Sequence, residues 1–149
     1  MNPLMRLYSS SIGLKLVMAV TGAFMTFFIL VHMVGNLESF GGQEALNHYA
    51  KLLRTLPPAL WAFRALLALA AVLHIVAGVR LWWLNRRARP LGYEKQAMQE
   101  TTLIARTMIY SGLFIAAFVV YHLLHFTFRT VDTSYQTMHD PRGWHDVYG

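Results

Sequence analysis

The sequence predicts an all-α integral membrane protein, and three observations carry that prediction. Of its 149 residues, 56% are hydrophobic and 13% charged, against roughly 45–50% and roughly 25% in soluble domains. Three apolar runs each reach the length of about 20 residues that crosses a hydrocarbon core roughly 30 Å thick. The segments joining them are polar and carry the Gly and Pro residues that end helices. Without a single cysteine, the chain is no disulfide scaffold, thiolate metal site, iron–sulfur protein or cysteine-nucleophile enzyme. It is also too apolar for intrinsic disorder, and its length fits one domain.

The first run, LVMAVTGAFMTFFILVHMVG at 16–35, lies between Lys15 and Glu38. It exceeds the apolar core of about 7–15 residues of a signal peptide, and no A-x-A-like cleavage site follows. It therefore predicts a helix of the mature chain over 12–36. The link 37–58 contains Gly41-Gly42 and then EALNHYAKLLRTL, whose pattern predicts a short amphipathic helix on the outer membrane surface. After Pro57-Pro58, ALWAFRALLALAAVLHIVAGVRLWWL predicts a second span over 59–86. Arg64 and Arg80 near its ends can snorkel to the headgroups, and Trp61, Trp82 and Trp83 stand where an interfacial belt belongs. The basic loop 87–103, broken by Pro90 and Gly92, leads to TMIYSGLFIAAFVVYHLLHFTF and a third span over 104–129. The polar tail 130–149 has no run that can span. There is no internal repeat or low-complexity segment.

The net charge of +6 is distributed unevenly across the membrane. Arg6, Lys15, Arg80, Arg86, Arg87, Arg89, Lys95 and Arg106 fall on one side, and Lys51, Arg54, Arg64, Arg129 and Arg142 on the other. The positive-inside rule then places the N-terminus and the 87–103 loop in the cytoplasm and the tail outside, for a multi-pass protein of the cell's inner membrane. Nucleic acid is not an expected partner, because no basic stripe is interleaved with exposed aromatics on a soluble face.

Four of the seven histidines, His32, His74, His122 and His125, lie within the spans. Ionisable groups at membrane depth cost a few kcal/mol on insertion scales of about 2.5–3.5 kcal/mol for charged residues, so they face a bundle interior and mark a site. A single such histidine is as readily an interhelical hydrogen bonder; four over three helices favour a cofactor. His32 lies six residues inside Glu38 and His122 seven inside Arg129, so their heights match. His74, six residues from the inner Arg80, is about half a bilayer deeper. Imidazoles on facing helices at one height suit the two axial positions of a haem iron, and haem b needs no cysteine. His125, three residues after His122, is the alternative to it. Gly35 and Gly78, each about one turn from a histidine, either leave room for a flat macrocycle or serve helix packing. Zinc is disfavoured, because the spans supply no carboxylate or thiolate.

The strings LVHMVGNLESF, VLHIVAGVRLW and VVYHLLHFT, in this order and spacing, resemble the first three helices of the cytochrome b558 type anchor subunit of succinate dehydrogenase and fumarate reductase. The resemblance runs from SSSIGLKL to WHDVYG, almost the whole chain. It implies a subunit of five helices holding two b haems, within a complex II that passes electrons from a flavoprotein and an iron–sulfur subunit to quinone, often menaquinone. It further implies that His32 and His122 ligate the outer haem and His74 the inner one. The family pattern continues with two more helices, so the partner of His74 is expected from a continuing chain or a second polypeptide. Arg80 is a candidate for a haem propionate, His48 and Gln43 weaker ones for the outer haem. Glu38 and Glu44 outside, or Ser10, Ser11 and Lys15 inside, are candidates for quinone, against plain roles as solvated surface or helix start. The basic loop offers a docking face besides setting topology. The chain is expected to have no catalysis of its own. Two other classes compete: a haem-free transporter or proton-relay fragment, which usually adds intramembrane carboxylates and broken helices, and a purely structural anchor.

Overall fold

The computed structural model describes residues 10–88 and 103–148, without the side chains of 104–106 and 135. The basic loop with Arg89 and Lys95 and the N-terminal Arg6 lie outside them. The described residues are helical apart from links, turns and one antiparallel bridge between His139 and His145. Three helices are long and apolar enough to cross a membrane. The chain divides into two compact units, Met1–Leu91 and Gly92–Val147.

In the first unit, α1 spans Ser11–Asn36, a 3₁₀ turn follows over Leu37–Gly41, α2 spans Gln43–Leu53 and α3 spans Pro57–Arg87. Ser10 caps α1, its hydroxyl oxygen accepting from the Gly13 amide at 2.9 Å, a contact worth about 0.5–2 kcal/mol. The second span starts two residues before the predicted 59, because Pro57 and Pro58 occupy its first turn. Proline there forfeits no intrahelical hydrogen bond, and its fixed φ suits the helix. At about 1.5 Å per residue, the 26 residues of α1 and 31 of α3 extend about 39 and 46 Å, more than a bilayer core needs.

The two helices pack antiparallel along small residues. Leu14, Ala77 and Leu81 form a buried cluster with Val17, Met18 and Leu84 packed against it. Leu14, Thr21 and Gly35 recur at multiples of seven on α1, while Ala70 and Ala77 stand seven apart on α3, the spacing of near-parallel helices meshing side chains at a shallow angle. Between lipid-facing helices such packing rests on close backbone approach rather than on escape from water. The remaining faces carry large exposed apolar groups such as Phe27, Ile29, Leu66 and Val72, as expected of surfaces facing lipid or further helices. At the helix ends Arg64 stacks over Trp61 at 5.0 Å, Arg86 over Trp82 at 5.2 Å and Arg87 over Trp83 at 3.5 Å. These pairs join the charged and aromatic anchors of both interfaces.

The predicted amphipathic segment is helical as α2, and it also touches the end of α1. The Tyr49 ring lies where a Cβ on Gly35 would be, its Cζ 2.8 Å from that position. Gly35 therefore lets Tyr49 approach α1, and a Cβ built on Gly78 would stand in ordinary contact with the Met18 thioether, 3.7 Å from its methyl carbon.

In the second unit, α4 spans Leu103–His122 and widens into a π turn over Leu123–Thr127. The predicted single helix to 129 is thus corrected: the Phe128 amide donates to the Leu123 carbonyl at 2.8 Å, five residues back, and Arg129 ends the run in the left-handed region at φ 53°. The polar tail folds into turns. Asp132 caps a 3₁₀ turn over Thr133–Gln136, and the hydroxyl and amide of Ser134 hold its carboxyl below the ordinary carboxylate range. That stabilisation is present at neutral pH and is lost as pH falls through the lowered value. Asp140-Pro141-Arg142-Gly143 forms a β-turn, closed by the Gly143 amide donating to the Asp140 carbonyl at 2.9 Å. The Asp140 carboxylate accepts from the amides of Arg142 at 2.9 Å and Trp144 at 2.8 Å. Asp140→Ala is expected to expose both amides to rapid hydrogen exchange. Asp140→Asn, which keeps the accepting oxygen, is expected to preserve their protection.

Candidate functional site

The buried stripe of α3 runs through Ala70, Ala77 and Leu81, and the half-buried His74 lies along it, turned toward α1. Its Nδ1 lies 3.1 Å from the Thr21 hydroxyl oxygen. That hydroxyl in turn donates to the Val17 carbonyl one turn back, at 2.6 Å. The imidazole edge passes close to Gly22, with Cε1 3.2 Å from where a Cβ would stand. A larger residue at 22 would press on the ring, so Thr21 and Gly22 together set its position.

His32 stands at a different level. It is exposed near the C-terminal end of α1, stacked on Phe28 with ring centroids 5.2 Å apart. Phe28 packs on Phe63 of α3 at 5.8 Å, and Phe24 meets the same ring edge-on at 6.1 Å. Because His74 lies beside Gly22, the helix register separates it from His32 by the ten residues between 22 and 32. At about 1.5 Å per residue this is about 15 Å along the axis, half of a roughly 30 Å hydrocarbon core. The two imidazoles cannot serve one iron, and the separation agrees with the depths deduced from the flanking charges.

In the second unit His122 ends the α-helical part of α4, and His125 lies inside the π turn. The Phe126 ring sits against both, 5.1 Å from His122 and 4.4 Å from His125. Phe118 adds a contact to His122 at 5.7 Å and Tyr121 one to His125 at 5.6 Å. The predicted common face assumed α geometry; the wider turn shifts His125 from that position. Single-turn π segments recur at functional sites, and periodicity gave no sign of this one.

The weaker candidates separate by position. Glu38, Glu44 and His48 line one open concavity of about 600 Å³ with Tyr49 and Leu52, and Gln43 begins α2 beside it. Ser10 and Lys15 belong to the opposite end of α1, Ser10 as its cap and Lys15 exposed. Ser11 opens the helix. Arg80 is exposed on α3, six residues from His74 toward the Arg86–Arg87 end. Among the described residues no three His, Asp or Glu side chains converge as a metal-ion site. The donors at hand are single imidazoles, a set that would suit axial ligation of a haem better than a zinc cage.

The fold and these side chains define a multi-pass, all-α integral membrane protein with imidazoles inside its spans. Comparison with family models, curated proteins and solved structures gives no match, so the reading of its function rests on residues and geometry.

Proposed function

We propose that the chain is the membrane anchor and cytochrome b subunit of a succinate:quinone oxidoreductase, a complex II acting as succinate dehydrogenase or fumarate reductase. The observation that carries this reading is the placement of His32 and His74 on one helix pair at levels about 15 Å apart. Two levels of imidazole half a bilayer apart are what two b haems, one near each face, require. His32, with His122 or its alternative His125, ligates the outer haem. His74 ligates the inner one with a histidine from further helices, supplied by a continuing chain or a second polypeptide. Haem b, when bound, supplies one-electron redox chemistry.

The chain's own residues orient, bury and dock. Thr21 and Gly22 hold His74, and the aromatic cluster Phe24, Phe28 and Phe63 supports His32. Arg80, about 9 Å along α3 from His74, is placed to pair with an inner propionate. Glu38 and Glu44, gathered with His48 in the outer concavity, are placed to exchange protons with quinone, in this reading menaquinone. Ser10 and Lys15 are the corresponding groups at the inner end. With the N-terminus in the cytoplasm of a cell whose inner membrane the chain spans, the basic 87–103 loop faces the flavoprotein and iron–sulfur subunits.

Affinity purification of the tagged chain from detergent-solubilised native membranes tests the assignment. The expected result is a complex containing a flavoprotein and an iron–sulfur protein that reduces a quinone with succinate. Purification without those subunits contradicts it.

A further inference from the structure

We propose that Thr21 is a positioning residue for a haem ligand: it fixes the tautomer of His74 so that Nε2 carries the lone pair that binds iron. This deepens the reading above and rests on His74 being an axial ligand. A threonine hydroxyl has one proton to give. Here the Val17 carbonyl, an acceptor only, takes it in a bond of 2.6 Å, with the Met18 carbonyl a longer second acceptor at 3.4 Å. The hydroxyl oxygen can then only accept from His74, 3.1 Å away. Nδ1 must therefore bear the imidazole proton, and Nε2 is left as the base.

The arrangement matches what metal-binding histidines require around them, a fixed acceptor on the nitrogen that does not bind metal. It also resolves why a β-branched polar residue occupies a buried helix–helix stripe. Thr21 is buried, on the face where Leu14 and Gly35 also lie. A hydroxyl bonded only to the preceding turn brings nothing to packing there and slightly weakens the helix; a hydroxyl that passes the carbonyl's polarity to an imidazole sets ring orientation and raises ligand basicity. Gly22 completes the setting, since its missing Cβ lets the ring edge approach α1.

The test compares Thr21→Val, Thr21→Ser and His74→Ala in the purified complex, by haem content under limiting haem and by redox titration of the b bands. Thr21→Val keeps the shape and removes the acceptor. The haem held by His74 should then bind about 10–100-fold more weakly, with a raised midpoint potential because a less basic ligand favours ferric iron less. The outer haem should be unchanged, and Thr21→Ser should restore both properties. Should the valine variant fail to assemble, Thr21→Ala, which adds no atom, carries the same expectation. Wild-type haem content and potential in the assembled Val or Ala variant, with one haem lost in His74→Ala, would overturn the role of Thr21 alone. Retention of both haems in His74→Ala would overturn the ligand assignment of His74 and the relay with it.

Discussion

His32→Ala is expected to remove the outer b haem and His74→Ala the inner one, each leaving the other in place. The two imidazoles are about 15 Å apart along the helix axis, too far to share an iron, so their losses must be independent. Each variant should still oxidise succinate with a soluble dye, because that reaction precedes the membrane segment, while electron delivery to quinone falls. Haem quantification per complex and dye-linked turnover read the two effects separately. On the outer level, one of His122→Ala and His125→Ala should reproduce His32→Ala, which also decides between the ligand just before the π turn and the one within it. If either His32→Ala or His74→Ala keeps both haems, the pairing by depth is wrong.

The second large effect is expected at Gly35. A methyl group there would stand 2.8 Å from Tyr49 Cζ and 2.9 Å from Cε1, closer still to the hydroxyl. Such contacts force α2 off the end of α1 or bend the rotamer of a half-buried ring. Overpacking of this kind costs about 1–3 kcal/mol, enough to lower the thermal midpoint of the complex measurably. The Gly35→Ala and Tyr49→Ala pair should be coupled, with the double variant more stable than additivity predicts, because removing the ring removes the collision. Strict additivity would show that the contact does not carry the cost. Since α2 also supplies Glu44 and His48 to the concavity beside Glu38, Gly35→Ala should disturb quinone reactivity more than dye-linked succinate oxidation.

The spans were legible because membrane insertion writes itself into composition: long apolar runs bounded by Lys15, Arg64, Arg80 and Arg129 admit few other readings. The axial offset of His74 from His32 was legible too, since flanking charges fix where each helix sits along the bilayer normal. Rotation and register were not. That Thr21 meets His74 depends on how α1 and α3 mesh, and nothing local to either segment encodes it. Which side chain approaches each glycine beside a histidine depends on the same meshing: Tyr49 comes over Gly35, and the Met18 thioether lies near Gly78. The π turn escaped because one extra residue per turn leaves apolar composition unchanged. The tail turn carried a signal in the sequence that was not read: Asp, Pro and Gly at the first, second and fourth positions of Asp140–Gly143 are those of a type I turn.

The most direct measurement is a difference spectrum of the purified native complex, reduced by succinate minus air-oxidised, followed by a redox titration of the same bands. Expected are b-type bands that succinate reduces and that titrate as two components, one lost in His32→Ala and the other in His74→Ala. A complex containing this chain with no b-type bands would contradict it outright.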